Sequence, residues 1–127
     1  MNMTVAALTE LFLMNLGYAR SDTAESDVVE EYSGMLLRWL NEGYLRAVRR
    51  IHGRAALEST DPLRADEDEP VKLEEPLHPL LADYAAARGQ EMRVNPAAAG
   101  PFYAAFERGV AESSADGRRR FSAWERL

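Results

Sequence analysis

Between Ser26 and Gly53 the chain sets Val28, Tyr32, Met35, Leu36, Trp39, Leu40, Ala47, Val48 and Ile51 at mostly three- and four-residue steps. That spacing places them on one side of a single helix of about seven turns. Ser26 or Asp27 can cap it, and Glu30 and Glu31 supply the negative charge that a helix N-terminus favours. Arg46, Arg49 and Arg50 gather at the opposite end, and Gly53 is a natural stop. So long an apolar face has to be covered, which commits the chain to helix packing. Gly34 and Gly43 interrupt the run; each costs about 1 kcal/mol relative to Ala, so the sequence predicts a bend or a close helix crossing there.

The remaining segments supply the covering elements. Thr4 to Leu16 repeats Val5, Leu8, Phe12 and Leu16 at helical steps, widened by Leu11, with Thr4 as cap and Gly17 as end. Residues 18–26 form a polar connection. A third helix starts near His78–Pro79 with proline in the first turn, followed by Leu80, Leu81, Tyr84, Ala85, Arg88 and Met92. Its small residues Ala82, Ala85, Ala86 and Ala87 let another helix come close. The stretch VNPAAAGP reads as a break. A fourth helix then carries Phe102, Phe106 and Val110, flanked by Tyr103, and fades around Ser113–Asp116. Residues 54–76, RAALESTDPLRADEDEPVKLEEP, hold three prolines and dense acid. They read as loop and extended chain, with room for a short strand at Val71–Leu73 and enough length to reach a neighbouring molecule. The last segment, DGRRRFSAWERL, opens on a turn dipeptide and reads as a tail. The expected fold is mainly α: a small bundle of about four helices, a long extended acidic excursion between helices 2 and 3, and an extended C-terminal tail. The expected division is a helical domain over 1–115 and a docking tail over 116–127.

Composition narrows the function. A chain of 127 residues, 46% hydrophobic, suits one small domain. A domain of this size buries a modest share of its surface, which leaves room for partner subunits to complete the burial. The net charge of -6 opposes wholesale nucleic-acid binding. The absence of cysteine removes disulfides, zinc–thiolate sites and thiol nucleophiles, and fits a reducing compartment. His52 and His78 are the only histidines, so an imidazole metal site would need both. The opening residues lack a basic leader, Glu10 interrupts their apolar run, and that run falls far short of the roughly 20 residues that span a bilayer. Asp66, Glu67, Asp68, Glu69, Glu74 and Glu75 read as a solvated charge run, without the spacing of a calcium loop. Neither histidine has an oriented acid partner or nucleophile in view. Ser113 and Ser114 lack a nucleophile elbow, and no glycine pattern cradles phosphate. The expectation is no enzyme activity, no catalytic residue, no metal and no cofactor.

Charge suggests assembly instead. Residues 46–54 carry Arg46, Arg49, Arg50 and Arg54 with no acid, a charge of +4, while residues 66–75 carry six acids against Lys72, a charge of -5. The arginines read either as a solvated helix end or as partners of the acidic loop, in the same chain or the next. Arg46, Arg49, Arg50 and Arg54 are therefore candidate inter-subunit contacts with Asp66, Glu67, Asp68 and Glu69. The final segment holds Arg118, Arg119, Arg120, Phe121, Trp124 and Leu127, too few residues for a core of their own. It either packs back on the domain or docks on another surface, where Trp and Arg are favoured anchors. The competing class is a small helical DNA-binding or regulatory protein, which requires a tight helix-turn-helix and salt-sensitive binding to duplex DNA.

The order of parts resembles the head–tail adaptor (connector, or head-completion) proteins of tailed double-stranded DNA bacteriophages. The resemblance rests on the short helix in MTVAALTELFLMNLG, the long helix VVEEYSGMLLRWLNEGYLRAVRR and the acidic excursion. It rests also on EPLHPLLADYAAARG, with its proline start and Asp-Tyr-Ala, and on FYAAFERGVAE with its aromatic step and glycine. It covers about residues 3–115. It implies subunits packed side by side into a homo-oligomeric ring, commonly of twelve, beneath the portal protein. Such a ring extends the channel through which genomic DNA passes without sequence-specific contact, and it offers a lower surface to a stopper or tail protein. The C-terminal segment, here 116–127, would dock on the portal. The implied location is the virion neck, with the host cytoplasm during assembly, and no membrane.

Overall fold

The computed structural model describes the backbone of residues 3–17, 25–92 and 95–125, and the side chains of residues 3–17, 32, 34–92 and 95–114. Five helices follow in order: α1 (Val5–Asn15), α2 (Glu25–His52), α3 (Arg54–Glu58), α4 (Pro79–Met92) and α5 (Pro96–Glu125), with a single 3-10 turn at Glu75–Leu77 ahead of α4. The chain is mainly α, and no strand occurs among the described residues. Val71–Leu73 is a turn, not a strand: Val71 N–H donates to Glu69 O at 2.8 Å and Leu73 N–H to Pro70 O at 3.0 Å. No described helix is long and apolar enough to cross a membrane.

Helix α4 is the centre of the bundle, packed against α1, α2 and α5. Its small side chains explain that position. Leu81, Ala82, Ala85, Ala86 and Ala87 are fully buried, so neighbouring helices come close on more than one side. Two glycines mark the tightest approaches. A Cβ on Gly43 of α2 would lie 3.1 Å from the Cβ of Tyr84, and one on Gly109 of α5 would lie 2.5 Å from Leu80 Cδ1. The close crossing expected at Gly43 is therefore present, against α4. Around α4 the core gathers Leu8 and Phe12 from α1, Tyr32, Trp39, Leu40, Tyr44 and Val48 from α2, and Phe106 and Val110 from α5. Phe12 meets Tyr32 edge-on at 5.3 Å between ring centroids, a geometry that adds to simple area burial.

Helix ends follow local chemistry. Thr4 Oγ1 accepts from Ala7 N–H at 3.2 Å and caps α1. Gly53, at φ 91°, stops α2 where a side chain would be strained, and α3 begins at the next residue.

Two expectations about the C-terminal third are corrected. VNPAAAGP is not a break throughout: α5 starts at Pro96, with the Asn95 carbonyl accepting from Ala98 and Ala99, and it contains Pro101. Pro96 sits where its missing N–H has no helical partner anyway. Pro101 leaves the Ala97 carbonyl without its usual donor, but Ala97, Gly100 and Pro101 all face solvent, where water can serve that group. Nor does the helix fade at Ser113–Asp116, and the extended tail expected from 116 is helical through Glu125. A single Gly117 costs about 1 kcal/mol. A helix already nucleated gains a hydrogen bond with each added residue, and the Ala, Arg and Glu around Gly117 favour continuation. Fifteen residues of α5 follow Val110, roughly 22 Å of helix at 1.5 Å per residue.

Candidate assembly surfaces

Residues 59–78 join α3 to α4 as an irregular strap folded against α1 and α2. Its course is set by a few long-range hydrogen bonds. Asn41, on the strap-facing side of α2, donates from Nδ2 to Leu63 O at 2.9 Å and accepts from Leu63 N–H at Oδ1 at 2.8 Å. One side-chain amide thus satisfies both backbone groups of one strap residue. Lys72 N–H donates to Tyr44 Oη at 3.1 Å. Burial raises the Tyr44 pKa above the ordinary phenol value, with the negative Asp61 acting the same way and the Lys72 bond acting against them. Leu63, Pro70 and Leu73 are buried between these anchors.

His78 fastens the far end. It is fully buried, with Nε2 3.0 Å from Leu73 O, and its Nδ1 accepts from Met3 N–H at 3.2 Å. Both contacts are hydrogen bonds in the neutral tautomer that carries its proton on Nε2. The strap in turn completes α1. Val5 N–H donates to Asp68 O at 2.9 Å and Ala6 N–H to Asp66 O at 3.0 Å, which satisfies two of the orphan donors at that helix start.

These contacts define the acidic candidates. The Asp68 carboxylate accepts from Arg64 N–H at 2.6 Å and Ala65 N–H at 3.0 Å, so it shapes its own loop. Asp66 and Glu67 are exposed and Glu69 half-buried. With Asp61 and Val71, Glu67 and Glu69 rim an open depression of about 530 Å³. Val71 is 72% exposed, the most exposed large apolar side chain described. Its tip is held by the two turn bonds at Glu69–Leu73, by buried Pro70 and Leu73, and by the bond from Lys72 to Tyr44.

The arginine candidates lie apart from the strap, Arg46, Arg49 and Arg50 on α2 and Arg54 on α3. Arg46 Nη2 and Arg50 Nη1 reach Glu107 of α5 at 3.2 and 3.3 Å. Of the readings open for them, pairing with the acidic loop of the same chain is not what these two residues do; within the chain they meet a single glutamate. Arg54 pairs with Glu58 along α3 at 3.5 Å, and Arg49 is exposed with no ion pair among the described residues. Exposed pairs of this kind contribute about 0–1 kcal/mol each, so they orient the arginines more than they stabilise the fold. Arg46, Arg49 and Arg50, with Glu42, Leu45, Leu57 and Tyr84, line an open depression of about 670 Å³. In its lining Tyr84 Oη donates to Glu42 at 3.3 Å, and Arg88 Nε lies 3.4 Å from the same carboxylate, an ion contact with poor hydrogen-bond geometry. Burial raises the Tyr84 pKa, and the Glu42 charge adds to it.

Arg118, Arg119, Arg120, Phe121 and Trp124 fall on the helical backbone of α5. Their side chains, and Leu127 altogether, lie outside the described residues. In register, Phe121 and Trp124 continue the line of Phe106 and Val110. His52 is exposed at the end of α2. No group of three or more His, Asp or Glu is placed to hold a metal ion among the described residues. One residue, Gly53, joins α2 to the five-residue α3, an arrangement unlike a helix-turn-helix.

Sequence reasoning missed Asn41, Glu107, Val71, Leu45 and Leu57. Asn41 was the findable one: a polar side chain at helical spacing from Tyr44 and Val48, on a buried face, needs a partner. Comparison with known protein families, characterised proteins and solved structures returned no match for this chain.

Proposed function

We propose that this chain is a structural component of a phage neck: a head–tail adaptor whose copies form a ring between the portal and a stopper or tail protein, with DNA passing through the lumen. The role is assembly, with no bond made or broken. The observation that supports it most is α5. Its first half completes the core through Phe106 and Val110. Its second half runs on for roughly 22 Å past Val110 and carries three consecutive arginines, then Phe121 and Trp124 in line with the core stripe. A helix that continues past its last described core residue with anchors of this type in its sequence is suited to dock on a larger partner. For a ring in a phage neck, that partner is the portal.

The test is truncation after Ala115. The shortened chain keeps Phe106, Val110 and the rest of the core, so its circular dichroism should remain helical. Full-length chain, added to particles built from the portal and capsid of the encoding virus, should appear as neck density by electron microscopy. The truncated chain should not. Equal occupancy by the truncated chain would refute the docking role of α5, and no neck density from the full-length chain would refute the adaptor reading itself.

A further inference from the structure

We infer that copies of this chain join head to tail through a plug and a socket: the strap tip at Val71 seats in the depression lined by Leu45 and Leu57 on the next copy. The occupant is therefore a second copy. The contact rests on the ring reading and deepens it, but can hold or fail independently of docking on a portal.

The plug is built. Val71 is 72% exposed, yet buried Pro70 and Leu73 flank it, and the bonds at Glu69–Leu73 and Lys72–Tyr44 fix the tip. An apolar side chain held rigidly in water loses little entropy when it is covered. Asp61, Glu67, Asp68 and Glu69 share its depression with one cation, Lys72, so the rim is net acidic. The socket has matching chemistry: half-buried Leu45 and Leu57 share its lining with Arg46, Arg49 and Arg50, and its one acid, Glu42, is already paired with Arg38 and Arg88. Glu107 holds Arg46 and Arg50 in place but offsets only one of the two charges, and Arg49 has no ion pair among the described residues. Apolar centre meets apolar centre, and acid meets arginine around it, an arrangement that fixes register as well as attraction.

Geometry sets the symmetry. Successive helix residues turn by about 100°. Asn41 and Tyr44 hold the strap on one side of α2, and the centre of the socket's α2 residues, Glu42, Leu45, Arg46, Arg49 and Arg50, falls about 140° around the axis. Plug and socket thus lie on different sides of α2. A contact between two such unlike surfaces repeats from copy to copy, where a tip-to-tip contact would stop at two. The contact is heterologous and propagates until it closes.

The chain contains no cysteine, so disulfide trapping has no background. The full chain carrying Val71→Cys together with Leu57→Cys, mildly oxidised at high concentration and low salt, should give a ladder of dimer, trimer and higher species on non-reducing gels. The ladder should weaken at least roughly threefold at 0.5 M salt, as screened charges release the contact, and also when Glu67→Lys and Glu69→Lys are added. Leu57→Cys alone should give monomer. Efficient dimers from Val71→Cys alone would mean a twofold contact between strap tips and overturn the proposal. A doubly substituted chain that stays monomeric while keeping its circular dichroism would overturn it too. Either result would leave docking of α5 on a portal untouched, because that is read from the truncation after Ala115.

Discussion

Asn41→Ala is the most informative single substitution in this fold. It removes two hydrogen bonds, of 2.9 and 2.8 Å, that hold both backbone groups of Leu63. Each contributes about 1 kcal/mol net, and a buried group left unpaired costs about 1–3 kcal/mol. Leu63 sits at a buried position, 3% exposed, so water reaches its backbone only if the strap lifts. The expected loss is about 2–3 kcal/mol. For 127 residues the unfolding entropy is about 0.27 kcal/mol/K, so the midpoint should fall by roughly 8–11 °C. Thermal melting by circular dichroism reads that number, and hydrogen exchange of residues 59–74 reads its location. Asn41→Asp supplies an internal control. At pH 7 the carboxylate still accepts from Leu63 N–H but faces the Leu63 carbonyl without a proton. Below about pH 4 the protonated acid regains a donor, so its deficit relative to the natural chain should shrink. An Asn41→Ala midpoint within about 1 °C of the natural chain, with unchanged exchange in the strap, would refute the clamp.

His78→Leu keeps similar bulk but strands Met3 N–H and Leu73 O, and should cost about 2–3 kcal/mol by denaturant midpoint, with faster exchange at residues 3–6 as well as in the strap. Glu107→Ala, whose ion pairs are solvent-exposed, should cost no more than about 1 kcal/mol in the same assay. Asp83 has its carboxyl pKa raised by burial, with the bond from Asn15 acting in the opposite direction. A raised carboxyl pKa means folding is favoured while the group is protonated, and that contribution is lost as pH rises through the folded value. Asp83→Asn, which keeps an acceptor for Asn15, should therefore be more stable than the natural chain at pH 7, with the advantage vanishing below about pH 4.

The bundle was legible because its determinants repeat. Val5, Leu8 and Phe12 in α1, and Leu36, Leu40 and Val48 in α2, state a helical period many times over, and one odd residue does not erase it. The alanines of α4 announced a close approach, and the structure uses them to seat α4 at the centre. The strap was illegible for the converse reason. Its path depends on single contacts such as Asn41 to Leu63 and His78 to Met3, which span 22 and 75 residues and leave no periodic trace. The end of α5 was misread because Asp116-Gly117 is a strong turn signal in isolation, whereas a helix already running for 20 residues absorbs one glycine. The arginines of α2 were visible as a cluster. That two of them orient on Glu107, 57 or more residues away, was not.

The strap links stability to assembly in a way that can be measured. The one strap that completes the start of α1 and buries Leu63 and Leu73 also holds Val71 out in solvent. A preformed tip binds better than one that must be ordered on contact, because each ordered side chain costs about 0.5–1.5 kcal/mol. Loosening the strap at Asn41, which touches neither Val71 nor the Leu45–Leu57 lining in any described bond, should therefore weaken the contact between copies. Adding Asn41→Ala to the Val71→Cys and Leu57→Cys chain should lower the disulfide ladder several-fold at a temperature where the bundle remains folded. Glu107→Ala, which frees Arg46 and Arg50 from their only described acid, should leave the ladder intact or strengthen it. An unchanged ladder with Asn41→Ala would mean that the tip keeps its shape without the clamp, and that the strap's rigidity comes from Pro70, Leu73 and His78 alone.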